Sequence, residues 1–356
     1  MSATIKDIKE ETGLSLATIS KYLNGGKVLD KNAQLIRAAV EKLHYQPNEM
    51  ARSLVTNKTR TVGVVCYSVA SLFAGIMLKH VGDYLRSKGY GVLICDSDNK
   101  EELQAENIRF MLNKKVDGII IIPVSTCADS LKIAQDANVP VVVLDRDMEG
   151  DDHDVVTVDN YGAGIKLMNY LIERHHTRIA LISTGMHSSH EERNRAYMDV
   201  LKREGIHVRN EYICLDKHTM EAGYCAMKKL LCLDERPTAV FSTGYEFNLG
   251  IVMALNEEHV KYPEEMSIVG FDDLILPSIL HTQLTVMSQP MEKMGRAAAS
   301  LLLKRIHGKK SAKPEHIIFD AVLLGGNSVI DLTKSGSENI LWKSREKRLQ
   351  SRGEIV

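Results

Sequence analysis

The chain carries 13 histidines, 6 cysteines and 46 Asp and Glu residues, enough for almost any catalytic or metal centre, so their spacing decides what they can do. Cys66, Cys95, Cys127, Cys214, Cys225 and Cys232 form no C-x-x-C pair. Neither a disulfide framework nor a zinc site is implied, and their apolar or helical settings predict buried, reduced thiols. The sequence holds no P-loop, H-E-x-x-H or G-x-S-x-G pattern. "VVCYSVASLFAG" joins the first strand to its helix without the glycines that admit a pyrophosphate. His175 and His176 are adjacent and point apart from a helix end, where a helix-dipole interaction explains them better than metal or catalysis. The expectation is a protein that is not an enzyme and has no catalytic residue, metal or cofactor.

Binding chemistry is better represented. Polar or aromatic residues follow a series of short β-branched runs: Phe73, Asp96, Ser97, Pro123, Asp145, Arg146, Asp159, Thr184, Arg193, His218, Tyr245, Asp272 and Gln289. Asp96, Ser97 and Asp159 read first as helix caps. Arg146, between two aspartates, can equally balance local charge, and Arg193 in "EERNRAY" can equally lie on a solvated face. Asp272 and Asp273 repel unless one of them has a partner.

These residues need elements to hold them. "TVGVVC", "GVLICD", "DGIIIIP", "VPVVVLD", "DVVTVD", "RIALIST", "YICLD", "TAVFST" and "MSIVGFDD" read as buried strands. Amphipathic stretches at about 72–88, 101–113, 128–137, 161–175, 191–204, 220–231, 246–258 and 292–307 read as helices. Alternation of this kind predicts an α/β core of two Rossmann-like parallel-sheet subdomains, one starting near Val62 and the other near Tyr161. Ligands of open α/β sheets sit beyond the carboxyl ends of the strands, so two facing sheets make a cleft.

The first sixty residues differ. They hold ten Lys and Arg against six Asp and Glu, while the whole chain has a net charge of −1. A basic head on an acidic body hints at nucleic acid. Thr4 and Asp7 start a helix that Gly13 must end, Ser15 caps a second helix through "LSLATISKYLN", and a third runs from about Asp30 to His44 with Leu35, Ile36, Ala39, Val40 and Leu43 spaced for burial. A short glycine-containing break between two helices is the helix-turn-helix pattern. No carboxylate lies between Gly13 and Asp30, as a helix entering a DNA groove requires. Thr18, Ser20 and Asn24 can then donate to phosphates, with Leu16, Ala17 and Lys21 at base edges. The plainer alternative is a three-helix cap with a solvated face.

No apolar run is long enough to span a bilayer and no secretory leader opens the chain, so a soluble, cytoplasmic protein is expected. "NEMARSLVTNKTRT" is too short for a stable isolated helix and reads as a linker in the free protein. "DLTKSGSENILWKSREKRLQSRGEIV", with Trp342, reads as a solvated tail.

"ATIKDIKEETGLSLATISKYLNG…EKLHYQPNEMARSLVTNKTRTVGVV" closely resembles the headpiece of the lactose/galactose repressor (LacI-type) transcriptional regulators, through Thr4, Ile5, Asp7 and Ile8, through Leu14 to Ser20, and through Tyr45 to Asn48. "VDGIIIIP", "VPVVVLDRD", "VTVDNYGAG", "SIVGFDD" and "LTVMSQPMEKMGRAAASLLL" extend the resemblance to a core similar to periplasmic sugar-binding proteins. It implies an all-α helix-turn-helix headpiece (1–47), a hinge (48–61), an effector-binding and dimerisation core (62–330, with subdomains of about 62–160 and 161–290 plus crossovers) and a tail (331–356). DNA contacts are expected from Thr4, Ser15, Leu16, Ala17, Thr18, Ser20, Lys21, Asn24, Asn48, Ala51 and Leu54, the last wedging into the minor groove. Effector contacts are expected from Phe73, Asp145, Arg146, Arg193, His218, Tyr245, Asp272 and Gln289.

Three departures stand out. Lys9 and Thr12 replace small residues, so Lys9 is expected to lay its stem along the core. Lys21 replaces a frequent arginine, which removes bidentate guanine recognition. "GYEFNLG" replaces N-D-x-x-A-x-G, with Gly244 and Tyr245 in place of the Asn and Asp. The resulting expectation is a homodimeric DNA-binding regulator of the repressor type, whose operator affinity answers to a sugar-like effector. A cytosolic sugar-binding protein, or a regulator answering to a protein co-effector, is the alternative.

Overall fold

The computed structural model describes residues 3–23, 25–45, 58–150, 152–185, 187–272, 282–308 and 313–333. It divides into two units, residues 1–59 and 60–356.

The first unit contains α1 (Ile5–Thr12), α2 (Leu16–Leu23) and α3 (Asp30–Lys42). The Asp7 carboxylate accepts from Thr4 N at 2.6 Å and Thr4 Oγ1 at 2.9 Å. Gly13 ends α1 in the left-handed region at φ 68°, which a residue without Cβ adopts at no steric cost. Ser15 Oγ accepts from Thr18 N at 3.2 Å, the capping expected for α2. Helices of eight residues are marginal alone. Here Ile8, Ile19, Ile36 and Ala39 are buried together, and each buried isoleucine is worth about 1.5–3 kcal/mol. Two expectations need correction. Leu35 is 42% exposed, because adjacent helical residues diverge by about 100° and Ile36, Ala39, Val40 and Leu43 make the inward stripe. Lys9 is exposed, since its neighbour Ile8 takes the inward place.

The second unit holds two six-stranded sheets. The first has the order β11-β5-β4-β3-β1-β2, from β1 (Thr61–Cys66), β2 (Gly91–Asp96), β3 (Gly118–Ile122), β4 (Val141–Leu144), β5 (Asp154–Val158) and β11 (His316–Phe319). The second has the order β12-β10-β9-β8-β6-β7, from β6 (Ile179–Ser183), β7 (Ile213–Leu215), β8 (Ala239–Ser242), β9 (Ser267–Phe271), β10 (Thr285–Ser288) and β12 (Val322–Leu324). Every pairing is parallel except β10 with β12. Parallel pairs need crossover helices, which cover both faces. In the first lobe these are α4 (Leu72–Ser87), α5 (Glu101–Asn113) and α6 (Asp129–Asp136), joined by the late α11 (Met291–His307). In the second they are α7 (Asn160–Ile172), α8 (Ser188–Arg203), α9 (Met220–Leu231) and α10 (Tyr245–Glu257). The chain therefore passes between lobes after β5, after β10 and between β11 and β12.

All nine expected strands are present. The three additional ones are short; β11 and β12 lie at sheet edges with exposed and partly buried residues, and their apolar runs of three and four residues are too short to stand out as buried strands. Of the cysteines, Cys66 is buried but Cys225 and Cys232 are exposed, against the expectation of buried thiols throughout. His176 is not a charged partner of a helix dipole. Burial holds it neutral, with a pKa lowered to about 4, while His175 pairs with Asp331 at 3.2 Å. Among the described residues no helix is long and apolar enough to cross a membrane.

Candidate functional site

In the first unit, α2 presents Ser15, Leu16, Ala17 and Lys21 to solvent, with Thr18 and Ser20 half-buried beside them. Leu16 is 39% exposed, an apolar side chain held outward where Ile19 holds the core. Ser15 Oγ and Thr18 Oγ1 share a hydrogen bond of 2.9 Å, which fixes both hydroxyls at the helix start. Thr4 is also exposed. Asn24, Asn48, Ala51 and Leu54 lie outside the described residues.

In the second unit, all eight residues expected to hold an effector line one cavity between the lobes. Phe73 comes from the first turn of α4, and Asp145 and Arg146 from the loop after β4. The second lobe contributes Arg193 from α8, His218 from the loop before α9, Tyr245 from the start of α10, Asp272 after β9 and Gln289 after β10. Tyr67, Ser189, His190, Gly244 and Glu246 complete the lining. Tyr67 directly follows β1, so the strand-end rule could have found it. Ser189 and His190 escaped because α8 begins three residues before the expected Glu191. Glu246 resembles an ordinary first-turn acid.

Arg193 is not on a solvated face. It is 3% exposed, donates through Nε and Nη2 to Asn160 Oδ1 at 2.9 and 2.7 Å and through Nη1 to the Thr243 carbonyl at 2.6 Å, and lies 3.6 Å over the Phe271 ring. The earlier helix start puts it in the second turn, facing inward. Burial lowers its pKa to about 10, against the pull of Asp272 and Asp145, so it stays charged at neutral pH. Arg146 does more than balance its neighbours. It stacks 3.9 Å over Tyr67, donates to the Pro123 carbonyl at 3.1 Å and reaches His187 Nδ1 at 3.4 Å.

Three carboxylates line the same cavity, and two of them, Asp145 and Asp272, feel the guanidiniums. Burial raises Asp145 against the charges of Arg146 and Arg193. Burial also raises Asp272, to about 6, although Arg193 and the Gln289 side chain pull it down. The Gln289 amide donates to Asp272 Oδ2 at 2.8 Å, leaving Gln289 Oε1 without a hydrogen bond. Burial would raise Glu246 too, but the His218 ring, the backbone amide of its own residue and the Ser71 hydroxyl outweigh it and hold the carboxyl at about 2. His218 Nε2 lies 3.0 Å from Glu246 Oε2 without the alignment of a hydrogen bond. His190, buried and flanked by His218 and Arg193, is pushed well below the usual imidazole range and shares a 2.8 Å bond with Thr243 Oγ1.

The Gly244 departure has a steric cause. A Cβ there would stand 2.3 Å from His218 Nε2 and 3.1 Å from His190 Cε1, so only glycine leaves room for the packed imidazoles, whose centroids are 4.6 Å apart. Asp159 caps α7 as the capping reading expects, its Oδ1 accepting from Gly162 N at 2.8 Å; Asp96 and Ser97 do not cap α5, whose N-cap is Lys100, and Asp96 Oδ1 instead accepts from Asp98 N at 3.1 Å in the preceding turn.

Direct bonds join the lobes. Ser71 Oγ donates to Glu246 Oε1 at 3.0 Å. Ser188 Oγ accepts from Asp147 N and donates to Asp147 O, both at 2.9 Å. The lining side chains enclose only about 20 Å³, room for one water molecule. A sugar-sized ligand enters such a cleft only if lobes or side chains move.

Residues 4–48 match the model of the lacI family of bacterial regulatory proteins, and residues 168–328 match a periplasmic binding protein-like domain. The HTH-type transcriptional repressor PurR of Pectobacterium atrosepticum is 31% identical over 321 residues, covering 89% of this chain and 93% of the relative. Among solved structures, a complex of the transcriptional regulator CelR with cellobiose is 25% identical, with a TM-score of 0.69 over 92% of this chain and 99% of that one. The lac repressor dimer bound to operator and the anti-inducer ONPF is similar in fold, with 20% identity and a TM-score of 0.83 over 93% of this chain and 100% of that one.

Proposed function

The chain belongs to the lacI family of bacterial regulatory proteins, and on that premise we propose a DNA-binding repressor whose operator affinity is set by a small sugar-like molecule held between the lobes of its core. The observation that carries the effector reading is the convergence of Asp145, Arg146, Arg193, Asp272 and Gln289 on one cavity. Alternating carboxylates, guanidiniums and an amide match the mixed donors and acceptors of a polyol, while Phe73 and Tyr245 offer apolar faces to its ring. The CelR neighbour, whose complex holds cellobiose, supports the same ligand class.

The exposed, carboxylate-free face of α2 supports operator reading. Ser15, Thr18 and Ser20, with Thr4, Asn24 and Asn48, are assigned to phosphates, and Leu16, Ala17 and Lys21 to base edges. Ala51 and Leu54 are assigned to the minor groove. Two copies reading half-sites of a near-palindrome require a homodimer. Its natural interface is the edge formed by β2 and β7, each outermost in its sheet, where Ile94 and Leu215 are 47% and 54% exposed. This role belongs in the cytoplasm, with the cleft binding rather than transforming its ligand.

The cleft is too small as it stands for a sugar, so binding must favour a different arrangement of lobes or side chains, and only that differential affinity can act on DNA binding. Full-length protein should select a dyad-symmetric duplex from a random pool over scrambled competitor, with strong salt dependence. Thermal-shift screening of the same protein against sugars, sugar acids and phosphates should then show stabilisation by a neutral sugar. No preference for any symmetric duplex would sink the operator reading, and stabilisation by phosphates alone would sink the effector class.

A further inference from the structure

The carboxylates of the cleft are not equivalent. Asp145 Oδ2 lies 3.5 Å from Arg146 Nε, and Arg193 acts on both Asp145 and Asp272. The charge that acts on Glu246, in the first turn of α10, is that of the His218 ring. Glu246 is also the most accessible of the three: its side chain is 20% exposed, against 7% for that of Asp145, while Asp272 is buried. A ligand can touch it without breaking a guanidinium pair.

Both oxygens of Glu246 are open to a new donor. Oε1 accepts from Ser71 Oγ at 3.0 Å, a bond that crosses between the lobes, and Ser71 has a second partner in the Tyr67 hydroxyl at 2.8 Å. Lobe separation that admits a sugar breaks the crossing bond, and then Ser71 keeps Tyr67 while Glu246 loses its donor. Oε2 lies 3.0 Å from His218 Nε2, but the approach lacks hydrogen-bond alignment and Nε2 stays unpaired. A largely buried carboxylate without donors is costly. Its charge also pushes Asp145 up. A second acceptor of the cavity, Gln289 Oε1, belongs to a residue 6% exposed and has no hydrogen bond.

We propose that Glu246 selects the class of effector by receiving a protonated amine, so that the cleft prefers an amino sugar to the parent hexose. This rests on the sugar reading of the cleft and narrows it. An ammonium brings three N–H donors, which replace Ser71 at Oε1 and serve the bare Oε2. Its charge balances the carboxylate that the two guanidiniums leave over, and relieves the pressure on Asp145. The parent hexose offers a hydroxyl at the same place, which satisfies an oxygen but not the charge, and charge-assisted bonds are the stronger kind.

Isothermal titration calorimetry on full-length protein tests this with glucosamine, galactosamine and mannosamine, each beside its parent hexose and its N-acetyl derivative, at about pH 6.5, where a primary amine is protonated. In at least one set the amine should bind about tenfold tighter than the parent. Its N-acetyl derivative, which keeps the nitrogen but not the charge, should bind no better than the parent. Glu246→Gln keeps the shape and an acceptor for Ser71, and should bring amine and parent of that set to within about twofold of each other, as loss of one charge-assisted bond requires. The wild-type comparison decides by itself should that variant fail to fold. Parents that bind as tightly as their amines, an N-acetyl derivative that matches its amine, or a preference that survives Glu246→Gln overturns the proposal and leaves the sugar reading standing. Binding by no member of any set overturns both.

Discussion

Asp145 and Asp272 occupy equivalent positions in the two lobes. Each follows the third strand counted from the β11 or β12 edge of its sheet, and each has a left-handed backbone, with φ of 74° and 55°. Each also donates its backbone N–H to the neighbouring strand, Asp145 to Val156 O at 2.9 Å and Asp272 to Met287 O at 3.0 Å. Non-glycine residues seldom adopt this conformation, Asp and Asn being among the more tolerant, and such strain gathers at functional sites. Arg193 lies between the two and acts on both.

The Asp272 charge opposes folding. Its pKa is raised from 3.8 to about 6 in the folded protein, so stability falls as pH rises through that window and the full cost remains above it. That cost is at most about 3 kcal/mol. Asp272→Asn removes it, tolerates the same backbone, and can donate to Gln289 Oε1 once that amide turns. Urea unfolding should find the variant more stable than wild type at neutral pH and equal to it near pH 4, with effector stabilisation lost. A less stable variant at neutral pH would refute the assignment.

Gly244→Ala should cost about 1–3 kcal/mol by overpacking, because its methyl collides with His218. Introducing His218→Ala as well should recover most of the loss. A double-mutant cycle by thermal denaturation measures the coupling; additive effects would show that the two residues do not compete for space.

His176 makes the core sensitive to acid. Its Nε2 donates to the Ile330 carbonyl at 3.0 Å, and its pKa falls from 6.5 to about 4. The unfolded chain therefore takes up a proton first, and stability is lost as pH falls through that interval, by up to about 3 kcal/mol. His176→Asn should flatten the slope of unfolding free energy between pH 6.5 and 4. An unchanged slope would mean that other groups carry the acid sensitivity.

Lys21→Ala should weaken binding to the selected duplex by about 1–3 kcal/mol and relax preference at one base pair if the lysine meets a base edge. Titrations at several salt concentrations against matched and singly substituted duplexes separate the two roles. An equal loss for all sequences, with a shallower salt slope, would assign Lys21 to a phosphate instead.

Local signals carried much of the site. Asp145, Arg146, Tyr245, Asp272 and Gln289 each stand at the end of an apolar run or the start of a helix, so chain order alone put them at the mouth of the sheets. For Arg193 a solvated helix start is an equal reading of the sequence, and Glu246 carries no signal beyond that of a first-turn acid, because whether a charged residue faces water or a neighbour depends on helix phase and on the opposing lobe. His190 and Ser189 were hidden by an error of three residues in where α8 begins.

Alternation of buried strands with amphipathic helices determined the two-lobed α/β core, and the spacing of caps, glycine and apolar residues determined the three-helix head, because both are periodic properties of the backbone. Only tertiary structure decided that His218 packs against Gly244 and that Glu246 is bonded to Ser71 across the cleft. Those contacts join residues 26 and 175 positions apart, and no local pattern encodes a distance that the folded chain alone brings about.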